Sequence, residues 1–170
     1  MKTTSNPGPQ YLWFERAGRR FAASMSHLQE VLSTPALRPV PAVEPALTGL
    51  MILREHVLPV FDPASLASSE PAAGVSSPIV IVLGLQGQPA LGLLAEKVGK
   101  VVDLPAPVPL TTATRFSAAF AGESCASGAP RVLVLDAAAL AATMGLAETD
   151  VPADSPNVRL SGQAPPRNRN

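Results

Sequence analysis

The chain has few residues that could carry chemistry. It holds one cysteine, Cys125, so no disulfide can form within it, as suits a reducing compartment. Cys125 sits in Glu123-Ser-Cys-Ala-Ser, without the basic neighbour that activates a nucleophilic thiol. The only histidines, His27 and His56, have no Cys or carboxylate at metal-ligand spacing. Glycines occur singly, at turn positions, and build no Gly-x-Ser-x-Gly, Walker or dinucleotide fingerprint. Glu30 and Asp62 come nearest to a carboxylate pair, yet nothing in the sequence brings them together. The expectation is a protein that is not an enzyme and uses no cofactor or metal.

Charge of one sign is lacking too. Thirteen basic and thirteen acidic residues cancel, which removes the field that would steer a chain to nucleic acid or an anionic membrane. No apolar run reaches the roughly 18 residues needed to span a bilayer. Behind Lys2 there is no apolar core of a signal peptide. The chain reads as cytoplasmic, without membrane insertion, with residues 1–10 a flexible lead. Aromatics make up 4% of residues, and the single tryptophan, Trp13, reads as a core anchor because it lies in an apolar strand.

What is present is a 46% hydrophobic chain interrupted by 19 prolines. That composition excludes wholesale disorder and points to many short segments with ordered loops. The organising stretch is Leu47-Thr-Gly-Leu-Met-Ile-Leu-Arg-Glu-His-Val-Leu-Pro-Val-Phe-Asp62, two apolar runs split by Arg54, Glu55 and His56, which predicts a hairpin. Asp62 and Pro63 then open a short helix, as N-cap and first helical residue. The same ending returns in Val132-Leu-Val-Leu-Asp-Ala-Ala-Ala-Leu-Ala141, with Asp136, Leu140 and Ala141 at a constant offset of 74 residues from Asp62, Leu66 and Ala67. Upstream, Leu28 and Val31 align with Val98 and Val101. A period near 70 is too long for a solenoid and suggests two similar β modules, at about 11–67 and 79–142.

Between these landmarks, residues 26–32 read as a one-turn helix capped by Ser26, with Leu28, Val31 and Leu32 inward. Four prolines within residues 35–45 make a stiff extended crossover, and residues 105–109 repeat it. Residues 67–78 read as a hinge between the halves. Ile79-Val-Ile-Val-Leu83 predicts a strand buried on both faces. The polar run Gly122-Glu123-Ser124-Cys125-Ala126 predicts a strand that is short, frayed or absent. Ala137 to Met144 predicts a helix ended by Gly145, and residues 147–170 a disordered tail.

The order strand, turn, strand, Gln-Glu-Val, Gly-Leu-x-x-Leu-Arg and Pro-Val-x-Asp resembles that of CheW, the bacterial chemotaxis coupling family. Its signature Gly-Leu-Ile-Asn-Leu-Arg-Gly followed by Pro-Val-Ile-Asp-Leu stands here as Gly49-Leu50-Met51-Ile52-Leu53-Arg54-Glu55 and Pro59-Val60-Phe61-Asp62-Pro63. Leu28-Gln29-Glu30-Val31 and Gly92-Leu93-Leu94-Ala95-Glu96-Lys97-Val98 match two further motifs. The resemblance implies an all-β fold with a few short helices, two SH3-like five-stranded β-barrels packed together over residues 11–146. It further implies an adaptor that couples the cytoplasmic tip of a chemoreceptor to the regulatory domain of a CheA-type histidine kinase in receptor–kinase arrays. The receptor tip would dock in a groove bordered by Leu28, Glu30, Gly49, Arg54, Val98 and Val101. Leu28, Val98 and Val101 read equally well as plain core residues. Ile52 and Glu55 depart from the signature, which predicts a rebuilt turn at Glu55 and, with the polar segment around Glu123, leaves open a coupling protein that has lost one partner. The alternative is a small-barrel module for another peptide or a nucleic acid.

Overall fold

The computed structural model describes residues 8–41, 44–68, 70–112 and 114–146. The expectations for the tail and for residues 1–7 of the lead lie outside these. The order is β1 (Gln10–Arg16), β2 (Arg19–Ser24), β3 (Leu28–Ser33), β4 (Leu47–Leu53), β5 (His56–Phe61), α1 (Pro63–Ala67), β6 (Ile79–Leu85), β7 (Gln88–Ala95), β8 (Lys97–Asp103), β9 (Phe120–Ser124), β10 (Val132–Leu135) and α2 (Ala137–Thr143). Five strands and a helix occur twice. The tight turns Ala17-Gly18 and Gln86-Gly87 carry positive φ at both residues, the geometry that matches strand twist in a two-residue hairpin. Both helices begin as the sequence predicts: Asp62 accepts from the Ala64 N–H and Asp136 from the Ala139 N–H.

The repeat halves are not the barrels. One sheet runs β8-β1-β2-β10-β9 and the other β3-β6-β7-β5-β4. Each takes the first two strands of one half and the last three of the other, so β3 and β8 cross over reciprocally. Parallel pairs β2–β10 and β5–β7 join the contributions of the two halves. Residues 67–78 are therefore no hinge between independent modules, because both halves are woven into both sheets.

One other expectation is corrected and one is narrowed. Residues 28–33 form strand β3, antiparallel to β6, rather than a helix. Their burial alternates with period two, half-buried then exposed, while Leu28, Val31 and Leu32 also fit a helical spacing. Strand β9 is present over five residues and pairs with β10 despite its polar sequence.

Each sheet is closed into a barrel by its proline-rich crossover. Arg38, beyond β3, exchanges two 2.8 Å backbone hydrogen bonds with Leu50 of β4, and Val108, beyond β8, does the same with Glu123 of β9. A glycine precedes each partner. A Cβ on Gly49 would stand 2.6 Å from the Arg38 carbonyl oxygen, and one on Gly122, at φ +140°, 2.2 Å from that of Val108. Only glycine lets the closing strands approach this closely.

Closure separates three apolar clusters. Leu12, Phe14 and Phe21 of one barrel meet Ile81, Leu83, Leu91 and Leu93 of the other in a shared core that also takes Leu66 and Leu140 from the helices. The opposite faces fill the barrel interiors. Met51, Leu58, Val60, Val80, Val82 and Leu94 fill that of the β3–β7 barrel. Ala22, Val132 and Val134, with Tyr11 against them, fill that of its partner. Trp13, two residues on from Tyr11, is half-buried rather than a shared-core anchor. Its indole occupies the place a Cβ on Gly99 would take, with the Arg20 guanidinium 4.9 Å and the Lys97 ammonium 6.0 Å from the ring centroid.

Candidate functional site

The six residues singled out by resemblance fall on three elements. Leu28 and Glu30 stand on the crossing strand β3, Val98 and Val101 on its counterpart β8, and Gly49 and Arg54 on β4 and the turn after it. Leu28 and Val98 occupy equivalent positions, half-buried, each leaning on the shared core. They are partly core residues. One turn of pleat further on, Val101 and its equivalent Val31 are open, at 41% and 40% exposure. Val31 belongs to the same apolar pair as Val101, and the repeat alignment and the family motif both contain it although the six groove residues do not.

Glu30 and Arg54 meet. The Arg54 guanidinium lies 3.6 Å from the Glu30 carboxylate, with the Arg54 side chain 75% exposed. So exposed a pair is worth about 0–1 kcal/mol, and the guanidinium can exchange Glu30 for another carboxylate at little cost. Arg54 also holds the left-handed backbone conformation, at φ +54°. In this hairpin Glu55 does not take positive φ, so the left-handed position falls on the arginine alone. Gly49 is buried, and its visible task is closure of the barrel. The pair β3 and β4 are the end strands of their sheet, so Leu28, Glu30, Gly49 and Arg54 all lie along one seam.

Beside this seam the hairpin shows an apolar pair that the sequence reading passed over. Ile52 and Val57 are register partners, 58% and 62% exposed. Large apolar side chains presented side by side at a hairpin tip suit burial against a partner.

Sequence reasoning also missed Arg16. It stands beside the arginine-rich turn Ala17-Gly18-Arg19-Arg20, yet it is only 1% exposed. Its Nε and Nη2 donate to one Asp62 oxygen at 3.0 and 2.6 Å, its Nη1 to Glu96 at 2.7 Å, and its Nη2 also to the Ala73 carbonyl. Asp62 thus both caps α1 and receives Arg16 from the neighbouring barrel.

An open groove of about 700 Å³ lies elsewhere, at the β1–β2 turn, and contains none of the six residues. Its cations are already engaged: Arg20 with Glu15 at 3.1 Å, Arg131 with Glu123 at 3.2 Å, and Arg19 with the Ala67 carbonyl at 3.3 Å. Among the described residues no group of three or more His, Cys, Asp or Glu side chains is placed to hold a metal. No helix among them is long and apolar enough to cross a membrane. Cys125 is exposed in the loop after β9, its thiol donating to the Ala129 carbonyl at 3.1 Å.

Comparison with known proteins agrees with this architecture. Among solved structures, the scaffolding protein TtCheW from Thermoanaerobacter tengcongensis superposes with a TM-score of 0.62 and 19% sequence identity, over 76% of this chain and 89% of that one. At such identity the likeness speaks for the fold. No curated protein matches. The CheW-like domain is matched over residues 10–145, from the first residue of β1 to the glycine after α2 and so through both barrels. The chain belongs to the CheW-like domain family.

Proposed function

We propose that the protein is a non-enzymatic, cytoplasmic adaptor of chemosensory signalling. It holds the cytoplasmic helical tip of a chemoreceptor and the regulatory domain of a CheA-type histidine kinase in one array. The observation that carries this reading is the family match through both barrels. The geometry supports it in kind. Leu28, Val31, Val98 and Val101 on the two crossing strands offer apolar side chains at graded depth, and Glu30 and Arg54 add one charge of each sign. An amphipathic helix with a charged flank is what such a surface accepts.

Arg54 separates this from a purely structural role. Its local pair is weak, and its planar fork suits a partner carboxylate or the carbonyls of a helix end. Arg54→Ala is expected to fold as the parent does and to weaken receptor-tip binding by at least about 1 kcal/mol, with kinase binding changed less. Arg54→Glu should be worse, since it repels an acidic partner and faces Glu30 and Glu55. Calorimetric titration of each variant with receptor-tip peptide and kinase domain is the check. Parent-like affinity for both partners in both variants would remove this position from the interface.

A further inference from the structure

Arg16 is the most buried large side chain whose charge the apolar core does not explain, and its partners lie at three junctions. Asp62 joins β5 to α1, Glu96 joins β7 to β8, and Ala73 belongs to residues 70–78, which lead from α1 to β6. That segment lies across the joint between the barrels. Besides the bond from Arg16 it is held by the Ala72 N–H, which donates to the Ser65 hydroxyl at 3.0 Å, and by the Pro78 carbonyl, which accepts from the Thr34 N–H at 2.7 Å. Thr34 follows β3 directly. Four residues later Arg38 makes the bridge that closes the β3–β7 barrel.

The two halves supply an internal control. The place of Arg16 at the end of β1 is taken at the end of β6 by Leu85, and among the described residues Asp136 caps α2 with no arginine upon it. Capping therefore needs no arginine, and Arg16 has a task that only one half requires. Beneath the segment lies a cavity of about 210 Å³, lined among others by Arg16, Asp62, Leu37, Thr48, Val75 and Leu94. Leu37 and Val75 pack on the interior cluster of the β3–β7 barrel. Lifting the segment would open that interior.

We propose that Arg16 is a latch. From one barrel it holds residues 70–78 down as a strap, and the strap braces the crossover whose Arg38–Leu50 bridge closes the other barrel. Because Glu30, Gly49 and Arg54 lie along that same seam, Arg16 is a positioning residue for the candidate site without touching it. The inference stands on the hydrogen bonds and the topology, independently of which partners the protein binds.

The test must separate latching from the penalty of stranding the buried Asp62 charge. Arg16→Leu installs the residue of the other half, and Arg16→Leu with Asp62→Asn also removes the stranded charge while keeping an oxygen for the Ala64 N–H. Amide hydrogen exchange is followed in the full chain at Ala72, Thr34, Arg38 and Leu50, with Val108 and Glu123 of the other closing bridge as controls. The double variant is expected to recover most of the melting temperature lost by Arg16→Leu, while the first four amides still exchange at least tenfold faster than in the parent and the controls stay within about twofold. Glu96→Gln, which leaves the buried pair in place, should move the same four amides in the same direction by about threefold, and it carries the test should the Arg16 variants fail to fold. Parent-like protection of Ala72 and Thr34 in the double variant, or equal acceleration at Val108 and Glu123, would overturn the latch.

Discussion

The two barrels share a topology and differ in what fills them. The β3–β7 barrel encloses Met51, Leu58, Val60, Val80, Val82 and Leu94, all buried. Its partner manages with Ala22, Val132 and Val134, flanked by Tyr11 and a half-buried Trp13. Interior volume is thus free to vary between copies, by many aliphatics in one and by a few aromatics over small residues in the other. What does not vary is the pairing at the closing bridge, the glycine before Leu50 and before Glu123, and the aspartate that starts each helix. The repeat keeps the features that shape the chain and lets the filling drift, as expected when hydrophobic volume is interchangeable and close backbone approach is not.

The sharpest break in the symmetry is at the aspartates. Asp62 and Asp136 are equivalent caps, but only Asp62 also carries the buried arginine. Asp136→Ala is expected to cost about 1 kcal/mol, the loss of an N-cap. Asp62→Ala should cost about 3 kcal/mol, because it also takes the buried carboxylate from a buried guanidinium and leaves it only Glu96 and the Ala73 carbonyl. Equal costs in chemical denaturation would show that Arg16 finds another partner.

The closing glycines should behave more alike. Gly122→Ala places a Cβ 2.2 Å from a carbonyl oxygen at φ +140°, and Gly49→Ala one at 2.6 Å without positive φ. The clash with a carbonyl, joined at Gly122 by backbone strain, costs about 1–3 kcal/mol. The first substitution is expected at the upper end and the second at the lower, each raising amide exchange chiefly in its own barrel.

Turns give the smallest effects. The β1–β2 and β6–β7 turns carry positive φ at both residues, with glycine second, whereas the β4–β5 turn carries it at its first residue, Arg54, alone. Arg54→Gly is expected to stabilise by up to about 1 kcal/mol, since αL strain is relieved at some cost in unfolded-state entropy. Glu55→Gly should destabilise by about 0.4–1 kcal/mol, because that residue needs no positive φ. Thermal melts that rank the two the other way would mean that Glu55 bears the strain.

Much of this was legible in the sequence. The Leu47–Asp62 stretch, both helix caps and the repeat declared themselves through apolar runs and capping chemistry, which are local. Strand β3 did not, because Leu28, Val31 and Leu32 satisfy a helical and a pleated spacing at once. The exchange of strands between halves leaves no local trace either: it depends on which edges pair, and the pairing is long-range. Arg16 was hidden by company, for among Gly18, Arg19 and Arg20 a charged side chain reads as part of a solvated turn. Of the candidate site, folding selects Glu30 over the adjacent Glu55 as the partner of Arg54, and it gives Gly49 a task in barrel closure that the sequence does not show.

The central claim is that the crossing strands and the seam beside them form a docking surface for a receptor helix. Titrating isotope-labelled protein with a receptor-tip peptide, and separately with a kinase regulatory domain, tests it most directly. The account predicts that the peptide shifts the amides of Leu28, Glu30, Val31, Arg54, Val98 and Val101, and that the kinase domain shifts a set of its own. Peptide-induced shifts confined to other surfaces, or none with either partner, would contradict it.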